Sequence, residues 1–426
     1  MTDREALYQS VLAHPDADLP RLVFADWLEE NGEDALAVFI RVQCELARVP
    51  KWDAVWINAC WVDTSWLYGY NRLERVREVA VGASVNAYRR GFPWQLHVTD
   101  LPGFLPSGDS VFDLHPIGGL SIDWRDRPDL SGLASSPWLS KISRLDFRLG
   151  EMAEADIRPL LESERATRLD ELHFQFAGIA ASGLTALLRS PLARPLRELR
   201  LHGNFFGEHG RPVIAAFGRR TAMPALERLD LTGDRLPGGS VARILESLAA
   251  PKLARLELPE CRLGPEGARL LAGCAKLSTV ESLNLAKTEP GADGMKSLAA
   301  SSNLDNLRIL KLPSNRLGPV AVKAMVAAPW FVGLRVLDLR DTNISDSGAV
   351  VIANSLASAN LLVLDLTRNA ITDPGAKALL DSPHLSSLIH LDLHDNEIRP
   401  PLLAALRARF GGQVGWDKVF HPKKKR

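Results

Sequence analysis

The stretch "LRVLDLRDTNI", residues 334–344, decides the fold because close copies of it recur along the chain. Two copies follow it directly, "LLVLDLTRNAI" at residues 361–371 and "LIHLDLHDNEI" at residues 388–398. The step is 27 residues, broken once by a step of 30. The second leucine of the ten copies is Leu145, Leu172, Leu199, Leu229, Leu256, Leu283, Leu310, Leu337, Leu364 and Leu391. Such a period predicts a repeat protein.

Each copy predicts one short strand followed by one helix. In "LDL" the alternation puts both leucines on one face of the strand and Asp338 on the other. The ninth position often holds asparagine, as at Asn315 and Asn369, whose side chain can bond backbone groups where the strand turns away. Cys261 occupies this position too, which favours a structural role for its thiol. After the turn, Gly375 precedes apolar residues at helical spacing.

This pattern resembles the leucine-rich repeat, in the long helix-containing form of ribonuclease inhibitors. Strands pack about 4.8 Å apart, whereas helices need about 10 Å. The predicted fold is therefore an α/β solenoid curved into a horseshoe, with parallel strands on the concave face and helices on the convex face. The concave sheet of a solenoid is its usual binding surface.

Residues 1–50 predict a small all-helical cap ahead of the array. The first helix, in "REALYQSVLAH", is expected to end at His14, before a proline. The second contains "RLVFADWLEENG", where Asp18 is expected to cap the start and Gly32 to end the helix in left-handed conformation.

A third helix follows in "DALAVFIRVQCELAR", with Phe39, Val42 and Leu46 expected on one buried stripe. Residues 20–47 resemble the repeat-companion domain found ahead of leucine-rich arrays in planctomycete and some myxobacterial proteins, although Val38 stands where that family usually has Glu. The resemblance implies a bacterial setting and a companion to the repeats. It implies no reaction.

Three further segments complete the predicted organisation. Residues 51–92 are expected to form a Trp-rich helical connector, residues 93–410 the repeat array, and residues 411–426 an edge strand around Val414 with a basic tail. The connector tryptophans are Trp52, Trp56, Trp61 and Trp66. They predict a hydrophobic seam between cap and array; the alternative is an exposed aromatic patch for a partner.

Composition sets limits on partners and compartment. Lys plus Arg and Asp plus Glu both number 51, so no net field favours nucleic acid or an anionic membrane. No stretch approaches the roughly 20 apolar residues that span a bilayer, and the N-terminus lacks the apolar core of a secretory signal. The four cysteines are expected to be unpaired, with Cys44 and Cys274 on helices facing apolar neighbours. These features predict a cytoplasmic monomer.

The chain lacks the common catalytic and nucleotide-binding motifs, so we expect no catalytic residue, no cofactor and no metal site. The segment "HLDLH" offers His390, Asp392 and His394 on one face of a strand. Residues four apart on a strand are separated by about 13.6 Å, too far for two histidines to bind one ion.

The strand residues that point away from the leucines form two predicted rows across the sheet. The first strands carry basic and imidazole groups, and the last three carry a row of aspartates, which is mildly unfavourable without a cationic partner. We expect the partner-binding residues to come from these rows. They are His173, Arg200, His202, Asp338, Arg340, Asp365, Thr367, Asp392 and His394.

The favoured function is a non-enzymatic scaffold that binds a protein partner on the concave face. One alternative is an adaptor resembling F-box leucine-rich proteins, in which the N-terminal helices dock on an assembly and the horseshoe selects the client. The other is an enzyme with a dispersed active site on the concave face.

Overall fold

The computed structural model describes residues 1–50, 80–204, 210–218, 223–236 and 238–410. The chain divides into two compact units, Met1–Arg200 and Leu201–Arg426, called unit 1 and unit 2 below. The four connector tryptophans, Cys60 and the predicted edge strand around Val414 lie outside the described residues.

Unit 1 begins with three helices, as the sequence predicts. They are α1 (Asp3–Ala13), α2 (Leu19–Glu30) and α3 (Asp34–Arg48). Gly32 lies between α2 and α3 with φ +80°, a left-handed conformation that glycine adopts without strain. The predicted ends of the first two helices are thereby confirmed.

The motif around α2 holds the helical block together through two charged side chains. Asp18 stands at the N-cap position but makes no side-chain cap, contrary to expectation. Its carboxylate instead pairs with Arg48 at 2.7 Å and Arg90 at 2.6 Å, and so ties α2 to later parts of unit 1. The guanidinium of Arg21 is buried and donates to backbone carbonyls of the α1–α2 loop, including Ala17 at 2.7 Å.

The described end of the predicted helical connector, residues 80–92, is mostly extended rather than helical. It contains strand β1 (Ala83–Arg89), which forms an antiparallel hairpin with β2 (Phe92–Val98). The alternation of small, polar and aromatic residues in "ASVNAYR" suits a strand, and the connector prediction is wrong for this part of the chain.

Helix α3 packs against the turn of this hairpin. Gly91 has φ +86°, and a Cβ there would lie 2.8 Å from the Cα of Ile40. This close approach determines which side of α3 is buried. The buried side carries Ala37, Ile40 and Cys44; of the predicted stripe only Phe39 is buried, and its other two members are half-exposed.

The rest of unit 1 consists of irregular first repeats. Strands β2 to β6 pair in parallel and in chain order. The further strands are β3 (Gly119–Asp123), β4 (Arg144–Arg148), β5 (Glu171–Gln175) and β6 (Glu198–Arg200). The helices are α4 (Leu101–Phe104), α5 (Gly108–Leu114), α6 (Ser131–Ser135), α7 (Glu154–Leu161) and α8 (Ala181–Arg189), with 3-10 segments at Leu105–Ser107, Pro137–Lys141 and Pro191–Ala193.

Unit 2 contains the regular repeats. The seven strands among its described residues pair in parallel and in chain order. They are β7 (Arg228–Asp230), β8 (Arg255–Glu257), β9 (Ser282–Asn284), β10 (Ile309–Lys311), β11 (Val336–Asp338), β12 (Val363–Asp365) and β13 (His390–Asp392). The described helices are α9 (Gly210–Phe217), α10 (Ser240–Ser247), α11 (Gly264–Ala272), α12 (Gly291–Ala299), α13 (Gly318–Val326), α14 (Ser345–Ala353), α15 (Asp373–Asp381) and α16 (Pro400–Phe410), with 3-10 segments at Ala275–Thr279, Pro329–Gly333 and Leu356–Asn360.

The leucine register of the sequence is confirmed. Leu337 and Leu364 are register neighbours on β11 and β12, and both are fully buried. In each repeat the two leucines of the strand motif pack toward the helices. The side chain between them, and those that alternate with them, lie on the opposite face. We call that opposite face the open face of the sheet.

Asparagines at the ninth position fasten consecutive repeats to each other. The Asn315 amide nitrogen donates to Leu312 O at 2.8 Å in its own repeat and to Leu285 O at 2.7 Å in the repeat before. Its amide oxygen accepts from Thr288 N at 2.9 Å and Glu289 N at 2.8 Å. Bonds of the same kind are made by Asn369 and Asn396. The structural role predicted for this position is confirmed.

The described cysteines are buried, unpaired side chains of the core. Cys44, Cys261 and Cys274 form no disulfide. Cys261 lies at the ninth position of its repeat with its sulfur 3.3 Å from Leu231 O, as expected of a structural residue. Cys274 lies between α11 and the 3-10 segment Ala275–Thr279 instead of within a helix, which corrects its predicted placement. Within the described ranges, no helix combines the length and apolarity that crossing a membrane requires.

Candidate interaction surface on the open face of the sheet

The predicted aspartate row exists, but its side chains are not exposed. Asp338, Asp365 and Asp392 are consecutive register neighbours on β11, β12 and β13. They therefore form the contiguous row that the sequence predicts. Their exposed fractions are 7%, 1% and 0%, so a partner resting on the open face would have little direct contact with them. We call this strand position, in every repeat, the middle row.

The aspartates of the middle row terminate their own strands. Each carboxylate accepts a hydrogen bond from the backbone N–H two residues later, and thereby satisfies an amide where the strand leaves the sheet. The donor–acceptor pairs are Arg340 N to Asp338 Oδ1 (3.1 Å), Thr367 N to Asp365 Oδ1 (3.0 Å), His394 N to Asp392 Oδ1 (3.0 Å) and Thr232 N to Asp230 Oδ1 (3.0 Å). The amide oxygen of Asn284 accepts in the same way from Ala286 N (3.1 Å).

Two described repeats of unit 2 have neither Asp nor Asn in the middle row, and in both of them the backbone N–H two residues later is also missing. Glu257 is followed two residues later by Pro259, and Lys311 by Pro313. Proline has no N–H to donate, so a short side-chain acceptor at the middle position would have nothing to cap. This pairing of residue types was visible in the sequence, and it is the signal that identifies the aspartates as structural.

The charge of the aspartate row is largely compensated within the chain. Arg340 bridges two of its members, with Nη2 3.0 Å from Asp338 and Nε 3.0 Å from Asp365. His394 Nδ1 lies 2.8 Å from Asp392. Burial, together with the neighbouring Asp338 carboxylate, raises the pKa of Asp365 to about 8. The expectation that a cationic partner relieves an uncompensated row is therefore corrected: Arg340 already bridges Asp338 and Asp365.

The next line of side chains, which we call the third row, is more accessible. Every one of its residues is half-buried, in the described repeats of both units. They are Arg148, Gln175, His202, Thr232, Pro259, Ala286, Pro313, Arg340, Thr367 and His394. In the last three repeats of unit 2 the buried middle row therefore lies beneath the more accessible side chains of the third row.

Beyond the third row, one backbone position per repeat adopts a left-handed conformation. In unit 2 most of these residues are exposed and are not glycine, and their charges alternate in part. The line runs through Gly233, Glu260, Lys287, Ser314, Asp341, Arg368 and Asp395. Two ion pairs join consecutive repeats along it, Lys287–Glu260 at 2.9 Å and Arg368–Asp395 at 2.8 Å. This line was not predicted from the sequence.

The basic and imidazole residues predicted in the first repeats belong to a network of charges in unit 1. His173 and Arg200 are register neighbours on β5 and β6. Both contact Glu198, which lies one strand position before the leucine and therefore on the same face; His173 Nε2 is 2.9 Å from its Oε1. Glu198 and Glu171 belong to a further line of residues, which was not predicted from the sequence. We call it the first row, because it lies one strand position before the leucine. His202 opens unit 2 and is half-buried.

Comparisons with known proteins agree with this geometry. A family model described as Leucine Rich repeat matches residues 334–353 and 357–380. The repeats are leucine-rich repeats. The fold is thus an α/β leucine-rich repeat solenoid preceded by N-terminal helices, as predicted from the sequence.

Solved structures of similar proteins include an internalin from Listeria monocytogenes, with 16% identity and a TM-score of 0.40 over 82% of this chain and 94% of that chain. They also include a chain from the yeast Rad7 and Elc1 complex, with 12% identity and a TM-score of 0.43 over 99% of this chain and 98% of that chain. Among curated proteins, none matches this chain.

Proposed function

We propose that this chain is a non-enzymatic scaffold that binds a protein partner through the open face of the sheet in unit 2. The observation that supports the proposal most directly is the third row, whose side chains are half-exposed in seven successive repeats beside the exposed left-handed line. Leucine-rich and other solenoids commonly bind partners along such extended surfaces.

The chemistry of the third row suits a polar protein surface. Arg340, Thr367 and His394 offer a guanidinium, a hydroxyl and an imidazole in three consecutive repeats. Arg340 is held in place by two carboxylates, so a partner would lose little side-chain entropy in engaging it. Asp338, Asp365 and Asp392 support these groups from below. In unit 1, Arg200 is the half-exposed group of the predicted set, and His173 acts beneath it; His202 contributes at the start of unit 2.

The test is a pull-down with the intact chain, followed by mass spectrometry, comparing two matched variants. Thr367→Arg places a bulky cation in the third row, whereas Leu356→Arg places the same side chain at a position that is 74% exposed in a 3-10 segment outside the strands. We expect the wild type and Leu356→Arg to retain the same proteins and Thr367→Arg to lose them. Equal retention by all three proteins would contradict the proposed surface.

A second candidate function is an adaptor in which the helical block docks on an assembly. It is favoured by α2, which leaves Leu19 71% and Val23 42% exposed one helical turn apart. The double variant Leu19→Asp, Val23→Asp should keep the fold, since neither side chain is buried. Loss of one set of captured proteins, with retention of the set that depends on Thr367, would support the adaptor. Unchanged capture would contradict it.

The remaining parts of the proposal concern setting and class. The match of residues 20–47 to the repeat-companion motif supports a bacterial protein, and the strand-plus-helix repeats support the ribonuclease-inhibitor-like class. Buried thiols at Cys44, Cys261 and Cys274 fit a reducing cytoplasm. We propose a monomer, which light scattering of the purified chain would test. A dispersed active site has less support, because the middle-row aspartates of unit 2 are engaged in capping.

A further inference from the structure

Unit 1 contains a compact group of potential metal ligands on the open face of its sheet. One ligand atom each from Glu171, His173 and Glu198 lies within 4.8 Å of the other two. Glu171 and Glu198 are register neighbours on β5 and β6, and His173 lies two residues after Glu171, hence on the same face. Two adjacent strands therefore bring three ligands close together. A single strand such as "HLDLH" cannot produce this arrangement.

His173 is the central member of this group and has an unusual environment. Its side chain is buried, with Nε2 2.9 Å from Glu198 Oε1 and 4.0 Å from Glu171 Oε2. Despite these two carboxylates, Nε2 has no hydrogen-bond partner of acceptable geometry. A buried imidazole whose ring nitrogen lies within 4.0 Å of two carboxylates and has no hydrogen-bond partner can serve as a metal ligand through that nitrogen.

A buried carboxylate lies beside the histidine on the neighbouring strand. Asp146 on β4 is the register neighbour of His173. It is buried, and its Oδ2 is held by Ser121 Oγ and Gln175 Nε2, each at 3.2 Å. Its Oδ1 has no hydrogen-bond partner. Histidines that bind metals commonly have a carboxylate near the other side of the ring, which orients the imidazole and strengthens it as a ligand.

We propose that Glu171, His173 and Glu198 bind one divalent transition-metal ion of the Zn²⁺ type. One imidazole nitrogen and two carboxylates form a borderline donor set that suits such ions better than Ca²⁺ or Mg²⁺. Three protein ligands leave a coordination position open toward the exposed side of the sheet, where water or a side chain of a bound protein would complete the shell. The site is independent of the partner surface proposed in unit 2.

Two arginines compete with the metal and set its affinity. Arg144 pairs with Glu171 and Arg200 pairs with Glu198 in the absence of an ion. Binding requires that these guanidinium groups turn away from the carboxylate oxygens that the metal takes, which both have room to do because they are partly exposed. Removing one arginine should therefore strengthen metal binding, an effect that a purely structural ion-pair network would not show.

The experiment is isothermal titration of the intact, chelator-treated chain with Zn²⁺, together with the visible absorption of the Co²⁺ complex. We expect one site in the wild type. His173→Gln and Glu198→Gln should each weaken binding by about tenfold or more. His394→Gln is the matched control, because His394 also pairs with a carboxylate on the open face but has no third ligand; it should leave the affinity unchanged.

Arg200→Gln should change the affinity for Zn²⁺ in the opposite direction. It should tighten Zn²⁺ binding by about tenfold, because the ion pair between Arg200 and Glu198 no longer competes with the metal. Thermal melts in chelator confirm that each variant is folded before titration; if one glutamine variant does not fold, the other variants still decide. Absence of a Zn²⁺ site in the wild type, or an affinity that His173→Gln and Arg200→Gln both leave unchanged, would overturn the proposal.

Discussion

The two units use the same strand position in different ways, and the difference lies in how far each strand runs. In unit 1, β4 and β5 continue for five residues, so Arg148 and Gln175 are still paired in the sheet. In unit 2 the complete repeats have strands of three residues that end at the middle row. An aspartate such as Asp146 therefore lies inside its strand, whereas Asp338 lies at the end of its own.

This difference determines what each carboxylate does. Asp338 caps the N–H of Arg340, an amide that has left the strand. Asp146 has no such amide to cap and bonds Ser121 and Gln175 on neighbouring strands instead. The aromatic layer of unit 1 accompanies its longer strands: Phe147 stacks on Phe174 with 5.7 Å between ring centroids, where unit 2 has leucines. One residue type at one repeat position thus has two roles, and the following backbone selects between them.

The largest expected effect on the free energy of unfolding comes from substitutions in the buried core layer of either unit. Phe174→Ala in unit 1 should destabilise the chain by about 3–5 kcal/mol and Leu337→Ala in unit 2 by about 2–5 kcal/mol, because both side chains are fully buried. Denaturant unfolding measures both. Leu356→Ala, at an exposed position, should stay within about 0.5 kcal/mol and serves as the control. A loss below about 0.5 kcal/mol for Leu337→Ala would mean that the repeat register is wrong.

The capping role of the middle row should produce the next largest effect. Asp230→Ala leaves the N–H of Thr232 without its acceptor at 3.0 Å and should cost about 1–3 kcal/mol. Asp230→Asn keeps an acceptor oxygen in place, so its cost should be under about 1 kcal/mol. Equal losses in the two variants, measured by the same denaturant unfolding, would show that the charge matters and the cap does not.

The raised pKa of Asp365 predicts a pH dependence of a definite sign. Its pKa rises from 3.8 in the ordinary state to about 8 in the fold, so the folded chain holds a proton that the unfolded chain loses. The stability that this group contributes is present below about pH 4 and is lost as the pH rises toward 8. Asp365→Asn should remove this slope and gain on the order of 1 kcal/mol over the wild type at the upper end. A difference between the two proteins that is constant with pH would refute the assignment.

A smaller effect would sharpen the rule that links the middle row to the residue two positions later. Lys311→Asn alone has no N–H to cap at Pro313, and Pro313→Thr alone supplies an N–H without an acceptor. The double variant should recover a cap, with a coupling energy of about 0.5–1.5 kcal/mol in a double-mutant cycle. Additive effects would contradict the rule.

The smallest effect concerns the left-handed line. Ser314 has φ +54° and an exposed side chain. Ser314→Gly should stabilise unit 2 by about 0.5 kcal/mol, because glycine relieves the left-handed strain at some entropic cost. Ser314→Ala keeps the strain and should bring no gain. Thermal melts of the two variants decide between these outcomes.

The sequence alone predicted most of the fold and only part of the candidate surface. Strong periodicity placed Leu337 and Leu364 in the core, and the row of Asp338, Asp365 and Asp392 was assembled correctly by register. Their burial could not be read from period-2 alternation, which gives the face of a side chain and not its depth. The sequence does contain the pairing of middle-row aspartates with a following backbone N–H. It becomes visible only when prolines, which have no N–H, are distinguished from the other residues two positions later.

The unit 1 ligands were missed for a different reason. Glu198 and Glu171 precede the leucine pair, and their contact with His173 depends on the pairing of β5 with β6 and on side-chain length. Hairpin β1–β2 was also missed, although both of its strands are seven residues long. Residues 83–89 were assigned to the helical connector together with the tryptophan-rich segment before them. The ligand cluster depended on long-range strand pairing, which a local pattern does not contain, whereas the hairpin was lost through a wrong segment boundary.

The asparagine bonds between repeats have a consequence for how such a chain can grow. Asn315 reaches acceptors and donors that lie 30 and 27 residues earlier, in the repeat before its own. A tandem duplication of one whole repeat therefore brings its own fastening on both sides, and the inserted copy is bonded from the moment it folds. Deletion of half a repeat would leave buried amides unmatched. The number of fastened repeats in unit 2 can thus change by duplication of whole repeats, which makes the repeat the natural unit of gene duplication.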